Sequence, residues 1–255
     1  MLVALFFFMI YGICELSVVP IRAEAKDQSE IVSQLLLGDL VEILNIEENW
    51  TKVRCLFDDY LGWLDTKQIT VLTSDLYEQI QSADKLYTKT HFTEVSLENT
   101  KTFAPFGSTF YKFHSSFERY SLKSEIESTK INTVQSAALS FLNAPYLWGG
   151  KTIYGIDCSG FTQVVFKVFG ITLKRDAAQQ VNQGESIDFE SLRENDLAFF
   201  SNSKGHVIHV GIILNNSKII HASGKIRIDE LNSKGIYNTE TSKLTHTLHS
   251  IRRYI

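Results

Sequence analysis

Three residues at fixed intervals can do covalent chemistry in this chain: Cys158, His209 and His221. Cys158 lies in Asp157-Cys158-Ser159-Gly160-Phe161, where a glycine-rich loop (Trp148-Gly149-Gly150 to Tyr154-Gly155) gives way to an apolar run. Phe161, Val164, Val165 and Val168 recur at helical spacing, and Asp157 is a good N-cap residue, so Cys158 is predicted in a first helical turn. Free backbone N–H groups and the positive end of the helix dipole there favour a thiolate. The same groups can stabilise an oxyanion on a substrate carbonyl. The runs 206–214 and 218–223, separated by Asn215-Asn216-Ser217, read as a β-hairpin. Alternation sets His209, Gly211 and Ile213 on one face of its first strand, and places His221 beyond Ile219 on one face of the second. This is a nucleophile, base and orienter set: Cys158 attacks, His209 takes and returns the proton, and His221 holds the His209 ring.

Other titratable residues are weaker candidates. His206 is the rival base, but it falls at a loop end and on the opposite strand face. His91, His114, His246 and His249 have no partner motif and are expected to be structural, and Trp148 is expected to pack beside its glycines. The histidines lack carboxylate or thiolate neighbours at ligand spacing, so neither metal nor cofactor is expected. Cys14, Cys55 and Cys158 are too few and too scattered for a disulfide framework and fit a reducing compartment.

The elements that must position these residues need two domains of ordinary size, which 255 residues can supply. Composition is globular, at 44% apolar and 21% charged, and the net charge of −4 gives no hint of a nucleic-acid partner. Residues 1–12 form an apolar N-terminal extension. It has no Lys or Arg before it, no small-residue cleavage site, and too little length to span a bilayer. Translation from Met9 and an export or anchoring role both stay open; a cytoplasmic protein without a stable membrane partner is the expectation. Residues 13–73 read as five short strands (14–20, 31–35, 39–44, 50–54 and 60–63), the pattern of a small β-barrel. Residues 74–123 form a linker or a degenerate second module, with a helix over 75–86 and a β-like aromatic stretch over 103–120. Residues 124–255 form the domain that holds the nucleophile. It opens with a helix over 130–142 whose apolar face is Val134, Ala137, Ala138 and Phe141, ended by Asn143-Ala144-Pro145.

Asp157-Cys158-Ser159-Gly160-Phe161, His209-Val210-Gly211-Ile212 and His221-Ala222-Ser223, in that order and spacing, resemble the NlpC/p60 cysteine peptidases over roughly the last 120 to 125 residues. Leu192 to Phe200 is similar to that family's strand flanking the base, with Asn195 replacing the usual Gly; Asn tolerates left-handed turns. The early part resembles a bacterial SH3 domain, through Val19-Pro20-Ile21-Arg22, Gln34 to Asp39, Trp50-Thr51-Lys52-Val53 and Gly62-Trp63-Leu64. The resemblance implies an α+β chain: an SH3-like small β-barrel followed by a circularly permuted papain-like domain. Joined, the two resemble the γ-D-glutamyl-L-diamino acid endopeptidases (dipeptidyl-peptidase VI), in which the SH3 module is part of the active-site wall.

That likeness implies a thiol protease of peptidoglycan-derived peptides, acting in cell wall peptide recycling on L-Ala-γ-D-Glu-diamino acid with a free N-terminal amine. Tyr146, Asp157, Ser159 and Asp176 match substrate-binding positions, and Glu30 and Tyr60 fit by position. Ala177 departs from the Arg-Asp-Ser element of those relatives, so one hydrogen bond of the pocket is absent or supplied elsewhere. Plain roles compete for several of these: a helix cap for Asp157, a solvated loop acid for Glu30, a barrel aromatic for Tyr60 and a core ring for Tyr146. The alternatives at the level of function are an exported D,L-endopeptidase of intact wall, an amidase or acyltransferase on the same fold, and a catalytically inactive wall-binding module.

Overall fold

A computed structural model describes residues 9–97, 100–112 and 131–255. His114, the start of the last domain at residue 124, and most of the apolar N-terminal extension lie outside the described residues. Seven strands build the first barrel: β1 (Ile10–Ile13), β2 (Val18–Arg22), β3 (Ile31–Leu36), β4 (Leu40–Glu47), β5 (Trp50–Cys55), β6 (Leu61–Asp65) and β7 (Thr70–Val71). They pair antiparallel in the order β3-β2-β6-β5-β4-β1-β7. Alternation decides the faces: Val19 and Ile21, Val53 and Cys55, and Leu64 point into one apolar cluster. Residues 10–12 are therefore not an extension. They are part of β1, paired to β4 and β7, because Ile10 to Ile13 continues the barrel register. Of the strand expected over 14–20 only residues 18–20 are extended, as part of β2, and residues 14–17 link it to β1.

Between the domains run α1 (Ser74–Ser82), β8 (Asp84–Tyr87), β9 (Thr93–Leu97), β10 (Thr100–Ala104) and β11 (Thr109–Lys112), with β8 paired to β11 and β9 to β10. The helix expected over 75–86 stops at Ser82. Leu86 lies opposite Phe110 in a strand pair, so tertiary pairing overrides its helical spacing. This segment is tied to the first barrel by Tyr111 Oη, which donates to Gly38 O at 2.7 Å.

The last domain contributes α2 (Val134–Leu139), β12 (Lys151–Thr152), β13 (Gly155–Ile156), α3 (Cys158–Lys167) and α4 (Ala177–Gln180), then β14 (Glu185–Ile187), β15 (Leu197–Ser201), β16 (Val207–Asn215), β17 (Lys218–Ser223), β18 (Lys225–Asn232), β19 (Gly235–Asn238) and β20 (Lys243–Arg253). β15 to β19 follow one another antiparallel, and β20 pairs with both β15 and β19, so six strands close on themselves with β14 at the flank. α2 is shorter than the helix expected over 130–142. Thr133 and Ser136 cap its start, and the chain leaves it through turns before Asn143, whose φ is 70°. Asn195 takes the left-handed turn expected of it, at φ 71°.

All ten residues of α3 are buried. Its apolar face packs against β16 and β17 in the main core, with Phe161, Val164 and Val165 among Val210, Ile212 and Ile220. Its polar residues are buried too, and for two of them the first barrel supplies a partner. Gln163 Nε2 donates to Asp58 at 2.8 Å, and Lys167 Nζ donates to Asp39 at 2.6 Å.

Candidate active site

The nucleophile loop is fixed by one carboxylate. Asp157 caps α3 by accepting from Gly160 N at 2.7 Å, and its second oxygen accepts from Gly149 N at 2.8 Å. Gly149 sits at φ 78°, and a Cβ there would meet Ile31 O of β3 at 2.3 Å, so only glycine lets the loop pass this close to the barrel. Arg175, 1% exposed, grips both Asp157 oxygens at 3.0 and 2.5 Å and donates to Ser159 Oγ at 2.9 Å. Burial alone would weaken its charge, but Asp157 holds the guanidinium above its ordinary pKa.

Cys158 Sγ accepts N–H groups from Val210 and Ser159, and so rests against the backbone next to His209. Burial pushes the thiol up to about 12; the Asp157 charge adds to this, while Val210 N–H and Arg175 oppose it. The thiolate expected from the helix start is thus overturned by desolvation, and the resting nucleophile is a thiol. Cys158 and His209 share no hydrogen bond among the described residues; catalytic pairs of this kind tighten as substrate docks.

His209 Nε2 meets His221 Nδ1 at 2.8 Å, and His221 Nε2 meets Asp229 Oδ2 at 3.0 Å. Gly211 lies opposite His221 in the β16–β17 register, and a Cβ there would meet the His221 Cβ at 2.9 Å. Its bare backbone is what brings the two rings together. The tautomers follow from the carboxylate. Asp229 can only accept, so His221 carries its proton on Nε2 and accepts at Nδ1; His209 donates from Nε2, and its Nδ1 keeps the lone pair. Burial, then the neighbouring His221 and His246, hold the His209 pKa well below 6.5. Burial raises Asp229, but bonds from His221 and Arg227 outweigh it and bring its carboxyl below the ordinary value.

Two members of this set escaped the sequence reading. Asp229 is two residues beyond Arg227, the β18 partner of His221, so the alternation Arg227-Ile228-Asp229 was the available signal. His246, expected to lack any catalytic context, stacks on His209 with centroids 4.3 Å apart and planes 25° apart. It arrives from β20, far along the chain, and only the closure of the sheet makes it a neighbour. His206 is exposed at the end of the loop before β16, and His91 packs edge-on against Phe141.

A cavity of about 420 Å³ opens over Cys158, and Glu30, Tyr60, Trp148, Asp176 and Ile208 are among its walls. Tyr60 Oη donates to Asp176 Oδ1 at 3.3 Å. Burial, then the Asp176 charge, pushes Tyr60 up to about 12; burial raises Asp176, with Arg175 opposing. Trp148, expected to pack, is 59% exposed and donates from Nε1 to Glu30 at 2.5 Å. Tyr146 stands at 37% exposure with its phenol pushed up to about 12 by burial and by Cys158 and Asp157 beside it. Asp157 and Ser159 line the floor, yet their polar atoms are engaged with Arg175 and backbone N–H groups. Asp176 stands at the start of α4 with its carboxylate toward Tyr60, on the same cavity wall.

Known proteins with related sequences fall on the same two regions. The NlpC/P60 family matches residues 143–245, and the bacterial dipeptidyl-peptidase SH3 domain matches residues 21–69. The gamma-D-glutamyl-L-lysine dipeptidyl-peptidase of Bacillus cereus is 28% identical over 241 residues, covering 81% of this chain and 72% of that one. The protein of the same name from Bacillus subtilis is 37% identical over 101 residues, covering 39% of this chain and 34% of its own. A probable endopeptidase of Escherichia coli is 42% identical over 86 residues, covering 33% of this chain and 56% of its own. The crystal structure of an NlpC/P60 family protein from Bacillus cereus shares the fold, with a TM-score of 0.75 at 19% identity over 96% of this chain and 99% of that one.

Proposed function

The chain is an NlpC/P60 peptidase with a bacterial dipeptidyl-peptidase SH3 domain, and on that premise we propose that it cuts the γ-D-glutamyl–L-diamino acid bond of cell-wall peptides bearing a free N-terminal L-Ala. The observation that carries this reading is the shared cavity: Glu30 and Tyr60 of the first barrel wall the same space as Cys158. The names of the two Bacillus relatives agree with the bond assigned.

In the reaction, Cys158 Sγ attacks the γ-carbonyl carbon of D-Glu while its proton passes to Nδ1 of His209. His221 and Asp229 hold the resulting imidazolium by hydrogen bonds at 2.8 and 3.0 Å. Backbone N–H groups at the start of α3 face the developing oxyanion. Collapse breaks the C–N bond, the diamino acid amine leaves with the His209 proton, and a γ-glutamyl thioester remains on Cys158. Water, deprotonated by His209, then hydrolyses it.

Asp176, with Tyr60 beside it and Glu30 at the rim, gives the peptide's ammonium group an acidic end of the cavity. An acylated amine brings no charge and leaves Asp176 desolvated with only the Tyr60 hydroxyl to offset it, which disfavours intact wall stems. Released peptides, and hence a recycling role in the cytoplasm, follow from this reading. The test is hydrolysis of L-Ala-γ-D-Glu-meso-diaminopimelate and its L-Lys counterpart, each as free amine and as N-acetyl peptide, by wild type and Cys158→Ala. Cleavage of the free-amine peptides alone, lost in the variant, is expected. Equal cleavage of the acetylated peptides would instead favour a hydrolase of intact wall.

A further inference from the structure

We propose that His209, His221 and His246 together form a binding site for a divalent transition-metal ion of the zinc class, whose occupation switches off the catalytic base. One ring nitrogen from each of the three lies within 4.8 Å of the other two. The rings come from three strands, β16, β17 and β20, so the sheet itself holds them in a cluster. His209 and His221 are buried, whereas His246 is partly exposed and gives the cluster a face toward solvent. Three neutral imidazoles are a donor set that suits zinc, copper, cobalt and nickel rather than magnesium or calcium.

The surroundings fit a metal as well as the rings do. Metal-bound histidines commonly donate their other N–H to a carboxylate that orients the ring. Asp229 already stands in that position on His221 at 3.0 Å, and is itself held by Arg227 at 2.8 and 3.0 Å. Zinc–nitrogen bonds of about 2.0–2.1 Å in a tetrahedron place ligand nitrogens about 3.3 Å apart. The His209–His221 pair, at 2.8 Å, must open slightly, and His246 must rotate out of its stack on His209 and move inward by about one to two ångströms to bring its lone pair to the ion. The partial exposure of His246 permits that swing.

Coordination would act on catalysis through one proton. The ion takes the electron pair of His209 Nε2, the atom that otherwise donates to His221 Nδ1. The proton on Nε2 therefore moves to Nδ1 of the same ring, so no net proton is released. Nδ1 is the atom that must accept the Cys158 proton, and a protonated Nδ1 cannot. Only this inhibitory consequence rests on the proposed peptidase reaction; the binding itself does not.

Cobalt titration of Cys158→Ala, followed by visible absorption, removes the thiolate as a ligand and reads binding without activity. One cobalt per chain is expected, with Cys158→Ala/His246→Phe weakening it more than about 100-fold and Cys158→Ala/Asp229→Asn by about 10–100-fold. Phe keeps a flat ring over His209. A measurement that needs no histidine variant is ¹⁵N imidazole NMR of Cys158→Ala on zinc addition, in which all three rings should shift. In active wild type, zinc should inhibit and EDTA restore cleavage. Cobalt binding unchanged by His246→Phe, absence of binding in Cys158→Ala, or an unmoved His246 signal would each overturn the proposal. Failure of the peptide assignment would show separately, as absent or unselective cleavage with the cobalt titration unaffected.

Discussion

Arg175 Nε donates to Ser33 Oγ at 3.1 Å, so the guanidinium that grips the carboxylate next to the nucleophile also holds a strand of the first barrel. Cys158 is therefore positioned by both domains at once. Removing one partner of such a buried pair leaves the other charge without compensation, at a cost of about 3–5 kcal/mol. Arg175→Met should lower stability by that order in urea denaturation. Arg175→Lys should recover only part, since an ammonium cannot bind both Asp157 oxygens and Ser159 in one plane. Full recovery with Lys would show that charge alone suffices.

Asp229→Asn tests the tautomer argument. An amide can present N–H to His221, turn its ring around, and remove the lone pair that accepts from His209. The expected result is a fall in kcat of about 10²-fold or more, with little change in KM. A loss confined to KM would place Asp229 in substrate binding.

The pH profile of kcat/KM should be a bell whose two limbs belong to the ammonium pocket. His209 is held well below 6.5 and stays a neutral base well into the acid range. The acid limb is expected from Asp176, whose pKa is raised by burial, with Arg175 opposing; its charge, and with it ammonium binding, is lost as pH falls through that raised value. On the basic side the substrate amine loses its proton near about 7.7–8.0. Asp176→Asn should abolish the acid limb and lower kcat/KM for free-amine peptides about ten- to a hundredfold. The acetylated peptide should be much less affected. An acid limb persisting in Asp176→Asn would assign it to another group.

The resting thiol gives a chemical prediction. With Cys158 pushed up to about 12, iodoacetamide should label it slowly at neutral pH and faster as pH rises toward that value. A pH-independent, fast reaction at neutrality would indicate a thiolate–imidazolium pair.

The chemistry was legible in the sequence wherever it was local. Asp157 before an apolar helical run gives the cap, and the hairpin around Asn215-Asn216 gives the His209–His221 pair. What sequence periodicity could not show is what reaches the site from afar. Asp229 and His246 come from strands that meet His221 and His209 only when the sheet closes. Cys158 defied the helix-dipole argument for the same reason: burial in a two-domain core outweighs a local effect worth about 1 kcal/mol. Trp148 read as packing because its glycines are local, whereas its partner Glu30 lies in the other domain.

Helix α3 joins the domains in a way that limits how such enzymes can be recombined. Gln163 and Lys167 are buried, with their partners Asp58 and Asp39 in the barrel. Detaching the barrel would leave the Lys167 ammonium ion without its carboxylate, and the Gln163 amide with only Leu173 O to donate to, on a helix that otherwise faces core. The two domains are thus not interchangeable cassettes. A barrel grafted from another protein would have to bring acids at the places of Asp39 and Asp58, and a hydroxyl at that of Ser33, before the nucleophile could sit where it does. Substitutions on either side of this seam are expected to travel in pairs.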